Sequence, residues 1–542
     1  MLNTACSLGQ AWSEIAKAAP GEVSLIHDEH AWSYAELYRH SCLCRAHFDQ
    51  LGIGAGERVV LMLDNGPNFL AAFMGCQLAG IVPVPVSPKS SVERLSYLLT
   101  DSAARLVLID RTLSSRSLAV HAQSAYGNLL SQLPEPSSAA APVDRVCAAI
   151  SPECCAFMQY TSGSTGDSKG VMISHRAVLT NINGFTAKMA LDARRDVFSS
   201  LLPLFHDMGL VCFGLAPLLL GMPLVLYRQE ALSLYRWLEG IGHHQVTVSG
   251  APDSLLHLAN RVVAAPKDYR LDSLRLLICG SEPVRAATVN LFAERFAVRH
   301  AIKPAYGMAE LTLCATLTAV DESLHIDSAG HVASGRAIPG VALRIRTDDG
   351  MQAQQPGTVG EILVASPAAM LGYWNKPEAT TAVVTAEGYI ATGDFGYLDA
   401  DGHLFVLGRL KNLLIRGGEK YSPHDLESTA LAWPEVRRAA VVQIDDATQQ
   451  IVAVLEVDRL LLKDPSALAV LGNAISQATH ARCGLVADQY GFVPSGAIPA
   501  TENGKTRHLE LRRLIANGQL QPHWTDLARG VPRQEHHAAA TA

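Results

Sequence analysis

Positive charge is not in excess: 44 lysines and arginines stand against 51 aspartates and glutamates, a formal net charge of −7. No global positive field therefore gathers nucleic acid or an anionic membrane surface, and an anionic ligand needs a local site. No nucleic-acid partner is expected. The 11 cysteines are odd in number and show neither CxxC pairs nor framework spacing. That excludes a disulfide scaffold and leaves no metal–thiolate site to propose. They read as reduced thiols, and the expected location is cytoplasmic. The opening stretch MLNTACSLGQAWSEIAKAAPGE has no basic start and no continuous apolar block, so it does not read as a secretory signal. One uncharged run of membrane length occurs, from Leu210 to Tyr227, and Pro217, Gly221 and Pro223 interrupt it. A buried helix, a turn and the strand MPLVLY are expected there, and no transmembrane segment.

What is present is an ordinary globular balance, 49% hydrophobic and 18% charged over 542 residues, enough for several domains of roughly 150 residues each. Ser33-Tyr34-Ala35-Glu36 reads as a capping box opening a helix, with Leu37, Cys44, Phe48 and Leu51 as its buried stripe. After the turn GIGAGE come the strand VVLML, the helix NFLAAFMGCQLAG and the strand IVPVPV. Such nearly continuous apolar strands, separated by helices, predict a parallel sheet covered on both faces. The pattern recurs in LVLID, VFSSLLP, PLVLY, QVTVSG and LRLLICG, with helical stretches such as PVRAATVNLFAERFA between. The body is α/β. LPEPSSAAAPVDR reads as a surface connection. Beyond about residue 410 the texture changes: AAVVQI and IVAVLEV alternate like a strand pair, SALAVLGNAISQATHAR and LELRRLIANG are helical, YGFVP is extended, and the tail GVPRQEHHAAATA is frayed. This predicts a small α+β domain.

Chemistry concentrates in QYTSGSTGDSKGVMISH, Gln159 to His175. Thr161, Ser162, Ser164, Thr165 and Ser168 offer hydroxyls, Gly163, Gly166 and Gly170 let backbone amides approach a ligand, and Lys169 adds a cation. The set suits a polyphosphate. It is not a Walker loop, because Ser168 precedes Lys169 and Gly170 follows it, and it does not fit GxGxxG.

This stretch resembles the phosphate loop of the adenylate-forming ligase superfamily: acyl-CoA synthetases, fatty acyl-AMP ligases, peptide-synthetase adenylation domains and luciferases. Further segments match in the family's order: LPLFHDMGL, GSEPV, YGMAE, TGDFG, GRLKN and NGKTR. The resemblance implies an α/β fold, with a large multi-subdomain N-terminal domain of parallel-type sheets (1–408) binding ATP and the acid. A hinge at 409–411 would join it to a small mobile α+β lid (412–530), with 531–542 as a disordered tail. It implies ATP and Mg²⁺ as cofactors, and a phosphopantetheine thiol as acceptor. Thr161, Ser162, Gly163, Ser164, Thr165, Gly166 and Lys169 would hold the β- and γ-phosphates. Backbone at Gly280, Ser281 and Glu282 would read the adenine edge, Tyr306 would stack on it beside Gly307 and Met308, and Glu310 would bind Mg²⁺. Asp394 would take both ribose hydroxyls, with Arg409 a second ribose or phosphate contact. Lys505 would bridge the carboxylate and α-phosphate, and Lys411 would be the pivot. His206 would gate an acyl pocket of Leu210, Phe213, Ser249, Gly250, Ala251 and Met308.

The wording of LPLFHDMGL, SGAPDSLLHLA and SEPVRAATVNLFAERFA is closest to the fatty acyl-AMP ligases. Only a short segment separates YGMAE from SGRAIPG, too little for that branch's long insertion, and Gly417-Gly418 in RGGEKYSPHDLE is worded like a CoA ligase. An apolar carboxylic acid and an acyl carrier protein are expected as substrate and partner. Free CoA as acceptor, an amino acid as substrate and a non-catalytic nucleotide binder stay open as alternatives. Arg416, Lys420, Arg437 and Arg438 are basic residues able to meet either acceptor.

Overall fold

A computed structural model describes residues 5–109, 130–132, 150–161, 168–230, 232–445, 448–501 and 505–525. The connection LPEPSSAAAPVDR and the C-terminal tail lie outside them. The chain divides into two units: residues up to Thr392 with Gly396–Val406, and Gly393–Phe395 with the residues from Leu407 onward.

In the first unit the strands Ile302–Gly307, Leu276–Cys279, Val248–Gly250, Phe198–Ser200, Leu224–Leu226 and Val23–His27 lie side by side and parallel. Cys314–Leu317 and His30–Ser33 flank them antiparallel. A second sheet pairs Val82–Pro85, Arg58–Met62, Leu106–Ile109 and Leu130–Gln132, all parallel. The continuous apolar runs have the expected cause. Leu276 and Ile278 enter one core cluster while Leu277 and Cys279 enter another; Val59 and Leu61 separate from Val60 and Met62 in the same way. Both faces are dry, so period-two alternation is erased.

The helix Tyr34–Gln50 carries the expected capping box, Ser33 with Glu36. Tyr34, Leu37, Cys44 and Phe48 are buried, but Leu51 is 46% exposed. It takes the C-cap position after the last turn, and the stripe ends at Phe48. The uncharged run resolves into a π-helix, Met208–Leu215, a short α-helix, Ala216–Leu220, a turn at Gly221 and the strand Leu224–Leu226. No helix among the described residues is long and apolar enough to cross a membrane.

In the second unit Arg438–Asp445, Gln450–Val457, Gln489–Pro494 and His523–Thr525 form one sheet, antiparallel, parallel, antiparallel in turn. The expected strand pair forms its first two strands, and their residues alternate between two buried faces, Val441 and Ala453 on one and Val442 and Val452 on the other, rather than between core and solvent. The helices Pro423–Ala430 and Pro465–Cys483 bury one face with Leu426, Leu468 and Ile475, and His508–Ala516 covers the other with Leu511.

Within this unit a charged pair is buried. His508 Nε2 donates to Glu427 Oε1 at 2.6 Å, and the Val441 amide donates to the same oxygen at 2.9 Å. Burial works against both charges, yet His508 holds the Glu427 carboxyl below its ordinary value of 4.5 and Glu427 holds the imidazole above its ordinary 6.5. The imidazolium contribution is full below the unfolded value and is lost as pH rises through the raised folded one. The carboxylate contribution is full above the unfolded value and is lost as pH falls through the depressed folded one. Maximal support therefore spans mildly acidic pH. His508→Ala is expected to destabilise this unit by about 3–5 kcal/mol, because a buried carboxylate is left unpaired, while His508→Leu with Glu427→Leu costs far less. Urea denaturation at pH 6 compares them; equal losses in the single and double variants would remove the unpaired-charge account.

Candidate functional site

Four neighbouring parallel strands deliver four groups of the expected residues at their carboxyl ends, where open α/β sheets bind ligands. His206 follows Phe198–Ser200, Gly250 ends Val248–Gly250, Gly280 to Glu282 follow Leu276–Cys279, and Tyr306 to Glu310 close Ile302–Gly307. The segment 280–285 is held from outside through the Glu282 side chain and the Arg285 main chain. The Ser254 amide donates to Glu282 Oε1, and the Arg285 amide donates to Asp253 Oδ1 at 2.9 Å. Burial pushes the Asp253 carboxyl up to about 6 against the pull of Arg285. Ser281 sits at φ +71°, a left-handed conformation that a non-glycine adopts at a cost. Tyr306 and Met308 are half-buried, packed on a cluster containing Leu311, Ile345 and Ile362.

The phosphate-loop segment rises from an antiparallel pair, Cys155–Thr161 with Lys169–Ser174, in which Thr161 opposes Lys169. Ser162, Gly163, Ser164, Thr165 and Gly166 lie outside the described residues. Its neck is closed by a hydrogen bond from Ser168 Oγ to Thr161 O. Tyr97 OH donates to Ser168 O at 2.6 Å, and Tyr160 OH to Asp101 Oδ2 at 2.7 Å. Lys376 Nζ stands 3.2 Å from Asp101 Oδ1. The loop thus springs from a braced base.

Gly372–Tyr373 adds a further strand beside Lys169–Ser174, pairing Tyr373 with Val171. Tyr373 OH donates to Glu310 Oε1 at 2.7 Å, and Lys169 Nζ lies 4.7 Å from the centre of the Tyr373 ring. Glu310, 8% exposed, is thereby a carboxylate oriented by the tyrosine on whose ring Lys169 rests. One hard oxygen donor of this kind fits Mg²⁺, which takes one or two carboxylates and completes its shell with water and phosphate oxygens.

The apolar residues divide. Phe213 and Leu210 are fully buried on the π-helix. A Cβ at Gly250 would come within 2.4 Å of the Phe213 ring and 3.1 Å of Met208 Cε, so that face of the strand meets Phe213. Ser249 and Ala251 point the other way. The Ser249 hydroxyl donates to Ser199 O at 2.9 Å and accepts from Trp237 Nε1 at 2.9 Å, under the helix Ser233–His243. Ala251 joins the same cluster as Trp237. The structure therefore brings Phe213 and Gly250 together and keeps Ser249 and Ala251 apart from them, because adjacent strand residues face opposite sides. His206 Nδ1 lies 3.0 Å from Asp207 Oδ1, which also accepts from the Met208 amide at 2.7 Å and caps the π-helix.

In the second unit Arg409 Nε lies 2.8 Å from Asp394 Oδ1, so the two expected ribose contacts are an ion pair. Lys411 sits in the 3₁₀ turn Leu410–Asn412. Two hydrogen bonds tie Lys505 to Thr501: the Thr501 amide donates to Lys505 O at 2.8 Å and the Lys505 amide to Thr501 Oγ1 at 3.1 Å. Gly417 and Gly418, at φ +61° and +87°, form the two-residue connection of the hairpin Leu414–Arg416 and Glu419–Tyr421. Positive φ at both central residues is what such a hairpin demands, so this glycine pair has a local cause.

A family model described as AMP-binding enzyme matches residues 12–374. The chain belongs to this family. It is 31% identical to the long-chain-fatty-acid–AMP ligase FadD26 of Mycobacterium marinum, over 88% of this chain and 90% of that one. It is 30% identical to the medium-chain-fatty-acid–[acyl-carrier-protein] ligase JamA of Moorena producens, over 87% and 88%. A solved structure from work on the fatty acyl-adenylate ligases of E. coli and L. pneumophila is 26% identical with TM-score 0.83, covering 96% of this chain and 99% of that one. The AMP-binding enzyme fold and the acid-activating, adenylate-forming reaction class read from the motifs both stand.

Tyr373 is the residue that motif reading in this AMP-binding enzyme misses. Its signal in the sequence is the short GYW, Gly372 to Trp374, 63 residues beyond Glu310. Tyr373→Phe removes a hydrogen bond to a charged group, worth about 1.5–3 kcal/mol. Acid-dependent ATP–pyrophosphate exchange is expected to fall roughly tenfold or more, with a higher Mg²⁺ requirement. An unchanged Mg²⁺ profile would show that Tyr373 does not position Glu310.

Proposed function

We propose that this enzyme activates an apolar carboxylic acid with ATP and passes the acyl group to the phosphopantetheine thiol of a holo acyl carrier protein. The observation that carries the reading is the convergence of Lys169, Tyr373 and Glu310 beside the ends of the parallel strands. In the first step a carboxylate oxygen of the acid forms a bond to the α-phosphorus and pyrophosphate leaves. Two anions must be held together while charge builds on the departing group, so fixed cations and donors carry the catalysis. Lys169 and the hydroxyls beginning at Thr161 take the β- and γ-phosphates, and Lys505 takes the reacting carboxylate and α-phosphate. Mg²⁺, held by Glu310, would supply charge neutralisation at the phosphates. Asp394 and Arg409 hold the ribose, and Lys411 is the pivot that lets the second unit turn between the two half-reactions. In the second step the thiol sulfur bonds to the acyl carbon, AMP leaves and the thiol proton is released.

An apolar acid is favoured because Phe213 and Met208 face Gly250 and because the Asp207 carboxylate is already engaged by His206 and the Met208 amide. It is not left to meet an α-amino group. The carrier protein is favoured by the likeness to JamA and by the hairpin origin of Gly417-Gly418, which withdraws the hint toward CoA. Of the basic residues considered for the acceptor, Arg416 pairs with Asp488 and Arg437 with Asp458.

Pyrophosphate exchange across fatty, aromatic and amino acids identifies the acid; exchange with amino acids alone overturns the apolar reading. With one good acid, kcat/KM for thioester formation is then compared between holo carrier proteins and CoA. A clear preference for CoA over every carrier assigns an acyl-CoA synthetase instead.

A further inference from the structure

Away from the residues used above, two imidazoles converge on one carboxylate. Asp399 Oδ2 lies 3.0 Å from His403 Nδ1 and 3.3 Å from His325 Nε2. One ligand atom from each residue lies within 4.8 Å of the others. The other carboxylate oxygen is occupied: Asp399 Oδ1 accepts from the main-chain amides of Asp401 at 3.0 Å and His403 at 2.8 Å. The free edge of the carboxylate is therefore turned to the imidazoles. The His325 ring stacks on His403 with centroids 4.8 Å apart and meets the Phe405 ring edge-on at 5.7 Å.

The same chain pattern occurs a second time nearby, and it ends differently. Asp327-Ser-Ala-Gly-His331 repeats the spacing of Asp399-Ala-Asp-Gly-His403, with Asp327 Oδ2 2.8 Å from His331 Nδ1. There the same oxygen accepts from the Tyr397 hydroxyl at 2.6 Å and the other from the His331 amide at 2.7 Å, and among the described residues no second imidazole joins them. Turn formation alone explains an aspartate on the histidine four residues later. It does not explain His325, which comes from a separate segment and keeps its side chain 48% exposed.

We propose that His325, Asp399 and His403 form a binding site for a divalent transition-metal ion of the zinc type, with solvent completing its coordination. At bond lengths of 2.0–2.1 Å a tetrahedral ion places its ligand atoms roughly 3.3 Å apart; the two carboxylate–imidazole pairs stand at 3.0 and 3.3 Å, and the two imidazole nitrogens lie within 4.8 Å of each other. Two nitrogens and one oxygen suit Zn²⁺, Co²⁺ or Ni²⁺ and not the all-oxygen shell of Mg²⁺, so the site is separate from the nucleotide's metal. The two amides on Asp399 Oδ1 are the outer contacts that orient a ligating carboxylate. The ion would stand between Asp399 and the two rings. It ties the segment carrying His325 to the turn 399–403.

The test uses the full chain, stripped with EDTA and held in excess Mg²⁺. Zn²⁺ is titrated against a chromophoric chelator, and Tm is followed with and without Zn²⁺, since an ion that binds only the folded state raises Tm. His325→Ala and His403→Ala are each expected to lose one equivalent of bound Zn²⁺ and the Zn²⁺-dependent rise in Tm, while His331→Ala keeps both. Co²⁺ in the wild type is expected to show visible ligand-field bands without thiolate charge transfer. Should His403→Ala fail to fold, the exposed His325→Gln carries the comparison alone. Zn²⁺ stoichiometry and Tm response unchanged in the His325 variants would overturn the site and place any bound zinc on other groups.

Discussion

Lys505→Ala is expected to lose most adenylation activity in a protein that remains folded. The two hydrogen bonds between this residue and Thr501 run through its main chain, so alanine preserves them and Tm should not move. What disappears is the ammonium proposed to offset repulsion between the acid and the α-phosphate. Losing a preorganised charge of this kind costs on the order of 10²–10³ in rate, about 3–4 kcal/mol. Acid-dependent ATP–pyrophosphate exchange measures the first half-reaction, and thioester formation from supplied acyl-AMP measures the second. The first should collapse and the second survive, because the charge repulsion is gone once pyrophosphate has left. Normal exchange in the folded variant would falsify the assignment.

Gly307→Ala should be nearly as damaging for a different reason. Gly307 lies at the irregularity where Ile302–Gly307 meets Cys314–Leu317. A Cβ there would stand 1.6 Å from Leu313 O and 2.6 Å from its carbonyl carbon. The obstacle is backbone, so no rotamer change relieves it, and one strand must shift. Overpacking against a fixed neighbour costs about 1–3 kcal/mol, occasionally more, and the shift displaces Tyr306, Met308 and Glu310 together. Misplacement by about 1 Å can cost 10²-fold in rate. The expected result is a lowered Tm with kcat/KM for adenylation down about 10²-fold in the fraction that folds. Gly388, at φ +81° with nothing near its absent Cβ, provides the comparison: Gly388→Ala is expected to cost backbone strain and little activity. If Gly307→Ala retains full activity, the close approach is not a constraint on the site.

The legible parts of the fold were the local ones. The Ser33–Glu36 capping box and the VVLML–helix–IVPVPV unit depend on side chains a few residues apart, and each appears where it was expected. Leu51 falls outside the buried stripe because the helix ends there, with Gly52 after it at φ +69°, and hydrophobicity alone does not tell a last buried turn from a cap. Ser249 and Ala251 were grouped with Gly250 for a related reason. In a strand buried on both faces every residue is apolar or small, so nothing in the pattern says which side it meets. The hydroxyl of Ser249 answers to Trp237, 12 residues away and on a different element.

By itself the sequence determined the alternation of strand and helix, the caps, the order of the motifs and hence the family and its chemistry. These rest on periodicity and on residues close along the chain, which act before the chain has folded. Only the tertiary structure decided that Tyr373 joins Glu310 to Lys169, that Gly307 presses on Leu313, and that His325 reaches the turn of Asp399 and His403. Those contacts depend on which strand lies beside which and in what register, and that follows from burying both faces of every sheet at once rather than from any local pattern.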